Sequence, residues 1–171
     1  MVAATNVISP TPFPDVNQFL GIFLAEVRAV LGKRFVGLYL YGSLAGGDFV
    51  PARSDIDFVV VTDGELPADA VSALGRMHAR LWAGGSKWAL KLEGTYIPKT
   101  ALRRYNPGDG PFPCVNEGQF YLARHESDWV LQRQTLRECG VVVAGQDIRP
   151  LIDPVSPKEI HLAVRGYLDG W

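Results

Sequence analysis

Two apolar runs in this chain are each joined to a short polar element, and the order in which they come constrains the fold more than any other feature. Phe35-Val36-Gly37-Leu38-Tyr39-Leu40-Tyr41 leads directly into Gly42-Ser43, and after eleven further residues Asp55-Ile56-Asp57 leads into Phe58-Val59-Val60-Val61. Runs of this length and composition predict two buried strands. Side chains two apart on a strand share a face, so Asp55 and Asp57 should project together while Ile56 turns to the core. Two carboxylates held that close repel unless a cation lies between them. An all-oxygen donor pair suits a hard ion such as Mg²⁺, which takes one or two carboxylates plus substrate phosphates. Gly42 lets the chain turn sharply with its backbone close to a ligand. Ser43 offers a hydroxyl and, with a short helix from Leu44, free N–H groups that suit phosphate. Cradle and metal pair would then share one triphosphate.

This pattern resembles the nucleotidyltransferase superfamily typified by DNA polymerase β. Its signature is a hydrophobic strand, Gly-Gly or Gly-Ser, a gap of about this length, then Asp-x-Asp between apolar residues. The resemblance implies an α/β (α+β) nucleotidyltransferase fold, a mixed twisted sheet with helices packed mainly on one face.

The bulk composition narrows the field. At 171 residues and 47% apolar content the chain suits one domain with a sizeable core. A formal net charge of −1 gives no support to non-specific binding of polyanions, so no nucleic-acid partner is expected. Cys114 and Cys139 show no metal spacing and read as reduced thiols of a cytoplasmic protein. No apolar run reaches membrane-spanning length, and Met1-Val2-Ala3-Ala4-Thr5-Asn6 lacks the basic start of a signal peptide. The expectation is a soluble protein with no membrane contact.

Along the chain, Asp15 with Gln18 reads as an acidic version of a capping box. The helix it opens should carry Val16, Phe19, Leu20, Phe23, Leu24, Val27, Val30 and Leu31 on one stripe and end at Gly32. A second helix is expected over about Asp69 to Trp82, with His78 on its outer part. A third strand is expected over Trp88 to Ile97, with Trp88, Leu90, Leu92, Gly94 and Tyr96 on one face and Glu93 on the other. Pro107 to Pro113 reads as a loop, Val115 to Leu122 as a return to the sheet with an unusually polar insert, and Ser127 to Glu138 as a helix. Val141 to Val143 reads as a short strand. His78, His125 and His161 are too dispersed to form a ligand cluster. Lys99, Arg103 and Arg104 read as a solvated basic face. Residues 1–156 are read as one domain. The stripe Ile160, Ala163, Val164, Tyr167, Leu168 and Trp171 marks residues 157–171 as a terminal helix that belongs either to the same domain or to a helical domain beyond it.

From Trp88 onward the resemblance narrows to the N-terminal domain of the streptomycin/spectinomycin (aminoglycoside) adenylyltransferases. It rests on Leu92-Glu93-Gly94-Thr95, Glu117-Gly118-Gln119-Phe120-Tyr121, Asp128-Trp129-Val130-Leu131 and Val141-Val142-Val143-Ala144-Gly145. What it implies is transfer of AMP from ATP to a hydroxyl of a small acceptor, with release of pyrophosphate. Asp55, Asp57 and Glu93 would be catalytic residues holding two Mg²⁺ ions, with Glu93 completing the metal shell or taking the acceptor's proton. Gly42, Ser43 and Arg53 would bind the nucleotide. The partners implied are a nucleoside triphosphate and a small hydroxylated acceptor, with self-association or a helical partner through the terminal stripe. Two alternatives stand beside this: a non-catalytic, antitoxin-like nucleotide- or partner-binding module, and an adenylyltransferase acting on a protein hydroxyl.

Overall fold

The stripe of large apolar side chains from Val16 to Leu31 forms α1 (Pro14–Leu31), whose Val16, Leu20, Phe23 and Val27 are fully buried. The computed structural model describes residues 8–170, so the expectations resting on Met1 to Asn6 and on Trp171 lie outside the described residues. No side chain caps α1, and the Asp15–Gln18 box is absent because the helix starts a residue earlier, with Pro14 in its first turn. Asn17 ties down the lead-in instead. Its Oδ1 accepts from the Thr11 amide at 3.0 Å and hydroxyl at 2.7 Å, and its Nδ2 donates to the Thr11 carbonyl at 2.8 Å.

Six strands follow in one sheet: β1 (Phe35–Leu40), β2 (Ile56–Thr62), β3 (Leu92–Pro98), β4 (Phe112–Asn116), β5 (Gln119–Ala123) and β6 (Val141–Ala144). Their spatial order is β5-β4-β3-β2-β1-β6. Only β2 and β3 run parallel, joined by α3 (Ala68–Ala83), as a parallel pair requires a crossover; every other neighbouring pair is antiparallel. Alternation along the strands divides the core. Leu38, Leu40, Ile56, Phe58, Val60, Leu92 and Tyr96 face the two longest helices, α1 and α3. Tyr39, Tyr41, Val59, Val61 and Ile97 face the shorter α4 (Lys99–Arg103) and α5 (Trp129–Cys139).

Several local readings change. The third strand starts at Leu92, because Ala89–Lys91 is a 3-10 turn that buries Ala89 and leaves Leu90 56% exposed. The polar insert is a hairpin turn: Glu117 (φ 47°) and Gly118 (φ 70°) are both left-handed, the geometry of a two-residue I′ connection. His78 is fully buried rather than outer, with Nε2 2.7 Å from the Tyr96 hydroxyl, and burial lowers its pKa to about 4. The basic cluster is solvated as expected, and it also pairs: Lys99 with Asp63, and Arg103 and Arg104 with Asp153. In α6 (Pro157–Asp169), opened by a Ser156–Glu159 capping box, Ala163 is buried while Leu162, Val164 and Leu168 are exposed. No helix among the described residues is long and apolar enough to cross a membrane.

Gly94 marks the closest approach of β3 to β2, since a Cβ there would collide with the backbone carbonyl of Phe58. Gly94→Ala should therefore destabilise the protein by about 1–3 kcal/mol through overpacking, read as a lower urea midpoint at unchanged slope.

Candidate active site

The site grows from the centre of the sheet. β1 passes into a short helix, α2 (Gly42–Gly46), which starts at Gly42 rather than Leu44. Gly42 has φ 64°, and a Cβ on it would run into the carboxylate of Asp57. Glycine is thus demanded twice here, by backbone conformation and by the side chain seated against it. The Tyr41 amide donates to the Asp57 carbonyl at 3.1 Å, which extends the β1–β2 ladder to the point where the helix begins.

The loop between α2 and β2 is held by a turn. Arg53 and Ser54 amides donate to the Val50 carbonyl at 3.0 and 2.8 Å, and Ser54 Oγ accepts from the Val50 amide at 2.8 Å. Arg53 stands exposed on this turn. Asp55, exposed, is the last residue before β2, and Asp57 is half-buried within it.

The parallel register pairs Asp57 with Glu93 directly, so the two carboxylates share the face that carries Val59, Val61, Thr95 and Ile97. Glu93 therefore stands on the same side of the sheet as Asp57 and opposite Leu92 and Tyr96. Electrostatics reflect the crowding. Burial first, then Glu93 and Asp55, raise the Asp57 pKa to about 7. Burial, Asp55 and Glu117 raise that of Glu93, and burial with Asp57 and Glu93 pushes the Tyr41 phenol up. Among the described residues none of the three acids takes part in an ion pair. The repulsion is left for something outside the chain to relieve.

Beside Glu93 lies a cleft of about 150 Å³ walled by Tyr41, Tyr121, His125, Asp128, Trp129 and Gln132. The sequence reading placed no function on these six. Tyr121, Asp128 and Trp129 stood in quoted motifs without a role at the site, and it takes the docking of α5 against α2 and α6 to bring Asp128 and Trp129 to the cleft. His125 is buried, stacks on Trp129 with ring centroids 3.8 Å apart, and is pushed to a pKa of about 3 by burial and Arg133. Trp129 thus belongs to a cleft wall, whereas Trp88 lies in the core between α1 and β3.

The donor set fits a hard divalent cation. Asp55 and Glu93 act electrostatically on Asp57 at the start of β2, and the like-charge repulsion at Asp57 is what such a cation removes. No three or more His, Cys, Asp and Glu side chains among the described residues form a ready cage. Mg²⁺ does not need one, since it keeps waters and phosphate oxygens in its shell.

The family described as "Nucleotidyltransferase domain" matches residues 24–163. The fold is similar to the spectinomycin adenyltransferase AAD(9) of Enterococcus faecialis, solved with ATP and spectinomycin, with TM-score 0.66 and 20% identity over 87% of this chain and 64% of that one. Curated proteins named "Small ribosomal subunit protein uS2" are also similar. That of Pyrobaculum islandicum is 30% identical over 129 residues, covering 75% of this chain and 52% of the relative. That of Pyrobaculum aerophilum is 30% identical over 129 residues, covering 75% and 51%. The chain spans about half the length of these curated relatives.

Asp57 provides a test independent of activity. Its folded pKa lies above the unfolded carboxylate value, so the folded state binds more protons between about pH 4 and pH 7. Its contribution to stability accordingly falls as pH rises through that window. In chelator-treated protein, Asp57→Asn should raise Tm relative to wild type at pH 8, and the difference should shrink towards pH 4. A variant less stable than wild type at pH 8 would show that the carboxylate is satisfied in the folded chain.

Proposed function

The chain belongs to the nucleotidyltransferase domain family, and from this premise we propose that it is an enzyme that transfers AMP from ATP to a hydroxyl of a small acceptor. The observation that carries the reading is the register that sets Asp57 beside Glu93, with Gly42 opening space for the Asp57 carboxylate. Acidic oxygens and a glycine-started short helix lie at the same end of the central strands, where a triphosphate and its metal could be held together.

In this reading Gly42 lets the backbone approach the terminal phosphates, and Ser43 supports them through its hydroxyl and through the amides that open α2. Arg53, exposed on the neighbouring turn, would reach the phosphates from the solvent side. Asp55 and Asp57 would hold two Mg²⁺ ions, with Glu93 as a further ligand or base; the ions when bound supply charge neutralisation at the α-phosphate and at the departing pyrophosphate. The acceptor hydroxyl would sit in the cleft beside Glu93. Glu93 takes its proton, the oxygen bonds to the α-phosphorus, and the bond from that phosphorus to the bridging oxygen breaks to release pyrophosphate. A carboxylate with a raised pKa suits this work, because a base is most effective when its pKa approaches the working pH.

ATP and a small acceptor are favoured by the fold likeness to an adenyltransferase solved with ATP and spectinomycin. That likeness favours an aminoglycoside-like acceptor. The ribosomal name of the curated relatives suggests an RNA contact instead, but a net charge of −1 and an acid-lined cleft run against the basic surface such a contact needs. We place the protein in the cytoplasm, in keeping with its free Cys114 and Cys139.

Asp55→Asn and Asp57→Asn should each lower Mg²⁺-dependent pyrophosphate release from ATP on the order of a hundredfold or more, at almost no change in volume. Wild-type turnover in a folded variant would overturn the metal-ligand role of that aspartate, and no turnover by the wild-type chain would favour the non-catalytic module. Glu93→Gln should depress kcat by at least about a hundredfold and leave the ATP KM nearly unchanged, because a base acts in the transition state and adds little to ground-state binding. An equal rise in KM with unchanged kcat would make Glu93 a nucleotide ligand only.

A further inference from the structure

We propose that Tyr41 is a further catalytic residue of the transfer, and that its phenol donates a hydrogen bond to a non-bridging oxygen of the α-phosphate. This rests on the reading of Gly42, Asp57 and Glu93 as the nucleotide site and deepens it by naming a protein group that meets the reacting phosphoryl.

Alternation along β1 sets the direction of the ring. Leu38 and Leu40 face α1 and α3, so Tyr39 and, one residue past the strand, Tyr41 face the side that carries Asp57 and Glu93. The Tyr41 amide donates to the Asp57 carbonyl at 3.1 Å, and a Cβ on the next residue, Gly42, would run into the Asp57 carboxylate. Tyr41 therefore stands where three parts of the site meet: the start of α2, the Asp57–Glu93 pair, and the cleft of about 150 Å³ that it lines.

The two tyrosines of this face differ in what their hydroxyls do. That of Tyr39 donates to the Gln146 carbonyl at 2.8 Å, as a buried phenol normally does. Tyr41 is 8% exposed, yet its hydroxyl has no hydrogen-bond partner among the described residues. The side-chain polar atoms there that are sealed from solvent without a partner are His78 Nδ1, His125 Nδ1 and Arg133 Nη1. The Tyr41 hydroxyl is not one of them, so it opens on the cleft and not on packed protein.

A phenol is neutral at working pH. Burial, then the charges of Asp57, Glu93 and Asp128, hold its proton more firmly still. Tyr41 is thus a donor among acids, none of which takes its hydrogen, and Mg²⁺ would claim two of them. Two other donors of the cleft are committed: Thr95 Oγ1 donates to the Pro113 carbonyl at 3.0 Å, and Cys114 Sγ to the Phe112 carbonyl at 3.4 Å.

Two kinds of oxygen arrive with the substrates. A hydrogen bond to the attacking hydroxyl oxygen would draw on the lone pair that must bond to phosphorus, and so oppose the step. The non-bridging oxygens of the α-phosphate instead gain charge as that bond forms. A fixed donor in a cleft with little water stabilises such charge without having to reorient.

The test reads binding and needs no acceptor. Wild type, Tyr41→Phe and Tyr39→Phe are titrated calorimetrically with ATP and with each diastereomer of ATPαS, in Mg²⁺ and again in Cd²⁺. Sulfur accepts hydrogen bonds poorly, so in either metal wild type should bind one diastereomer about tenfold more weakly than ATP. Tyr41→Phe should bind ATP itself about tenfold more weakly, with that diastereomer within about twofold of ATP. Tyr39→Phe should keep the wild-type discrimination. A wild-type chain with no discrimination, or with one that Cd²⁺ relieves, overturns the proposal whatever the variants do. Discrimination that survives in Tyr41→Phe overturns it too, by making the phenol a packing group. Wild type that binds no nucleotide overturns the reading of the site and the proposal with it. Tyr41-dependent discrimination in a chain that releases no pyrophosphate with any acceptor would refute nucleotidyl transfer and leave the α-phosphate contact standing; turnover with discrimination untouched by Tyr41→Phe would do the reverse.

Discussion

Asp57 and Glu93 are directly paired on neighbouring parallel strands, and the sheet must hold these like charges together before any ligand arrives. Adjacent strands lie about 4.8 Å apart, and two full charges at that separation near a protein surface repel by roughly 3–4 kcal/mol. The chain absorbs the strain in two ways. Proton uptake lessens the charge, as the Asp57 pKa of about 7 records. The rest falls on the packing of β2 and β3, where Ile56, Phe58 and Val60 on one face and Val59 and Val61 on the other are all buried. Each such side chain contributes about 1.5–3 kcal/mol, so a few of them outweigh the repulsion. The site lies at the centre of the sheet because the strands there are packed on both faces.

The same constraint explains the two glycines. Gly42 gives the Asp57 carboxylate the volume that a Cβ would fill, and Gly94, next to Glu93, lets β3 come close to Phe58. A larger residue at either position would push one carboxylate away from the other or open the ladder between them. The glycines and the acids form one device, in which backbone proximity sets side-chain proximity.

What could be read in the sequence follows the range of the interactions. α1, β1, β2 and α3 are specified by apolar periodicity over contiguous residues, and Gly42, Asp55 and Asp57 sit at their ends. Glu93 was also accessible, because alternation from Leu92 to Tyr96 fixes its face once the strand is recognised. Alternation misled just upstream. Trp88 and Leu90 continue the apolar rhythm, yet the chain there turns in a 3-10 segment that buries Trp88 and Ala89 and exposes Leu90. His78 was misplaced for a related reason: a polar residue within a helix reads as outward until a partner such as Tyr96 is in view. The cleft wall was illegible, because Tyr41 follows β1, Tyr121 lies in β5 and His125 and Asp128 lie in the connection to α5, and these meet only in the folded chain.

This difference in legibility follows the division of labour in the proposed reaction. Holding a triphosphate and its metal needs a fixed arrangement of backbone amides and oxygens, and residues 42–57 place most of it within one helix-loop-strand segment. Choosing an acceptor needs only a wall of suitable shape and charge. Here the wall is built from a hairpin, a helix start and the inner side of α6, none of which the nucleotide half depends on for its geometry. Substitutions at Asp128, Trp129 or Tyr121 can therefore alter what is accepted without disturbing Asp57 and Glu93. A fold that separates chemistry from choice in this way can serve many acceptors on one scaffold, and the acceptor is then to be sought in the chemistry of the α5 wall rather than in the Gly-Ser and Asp-x-Asp signature.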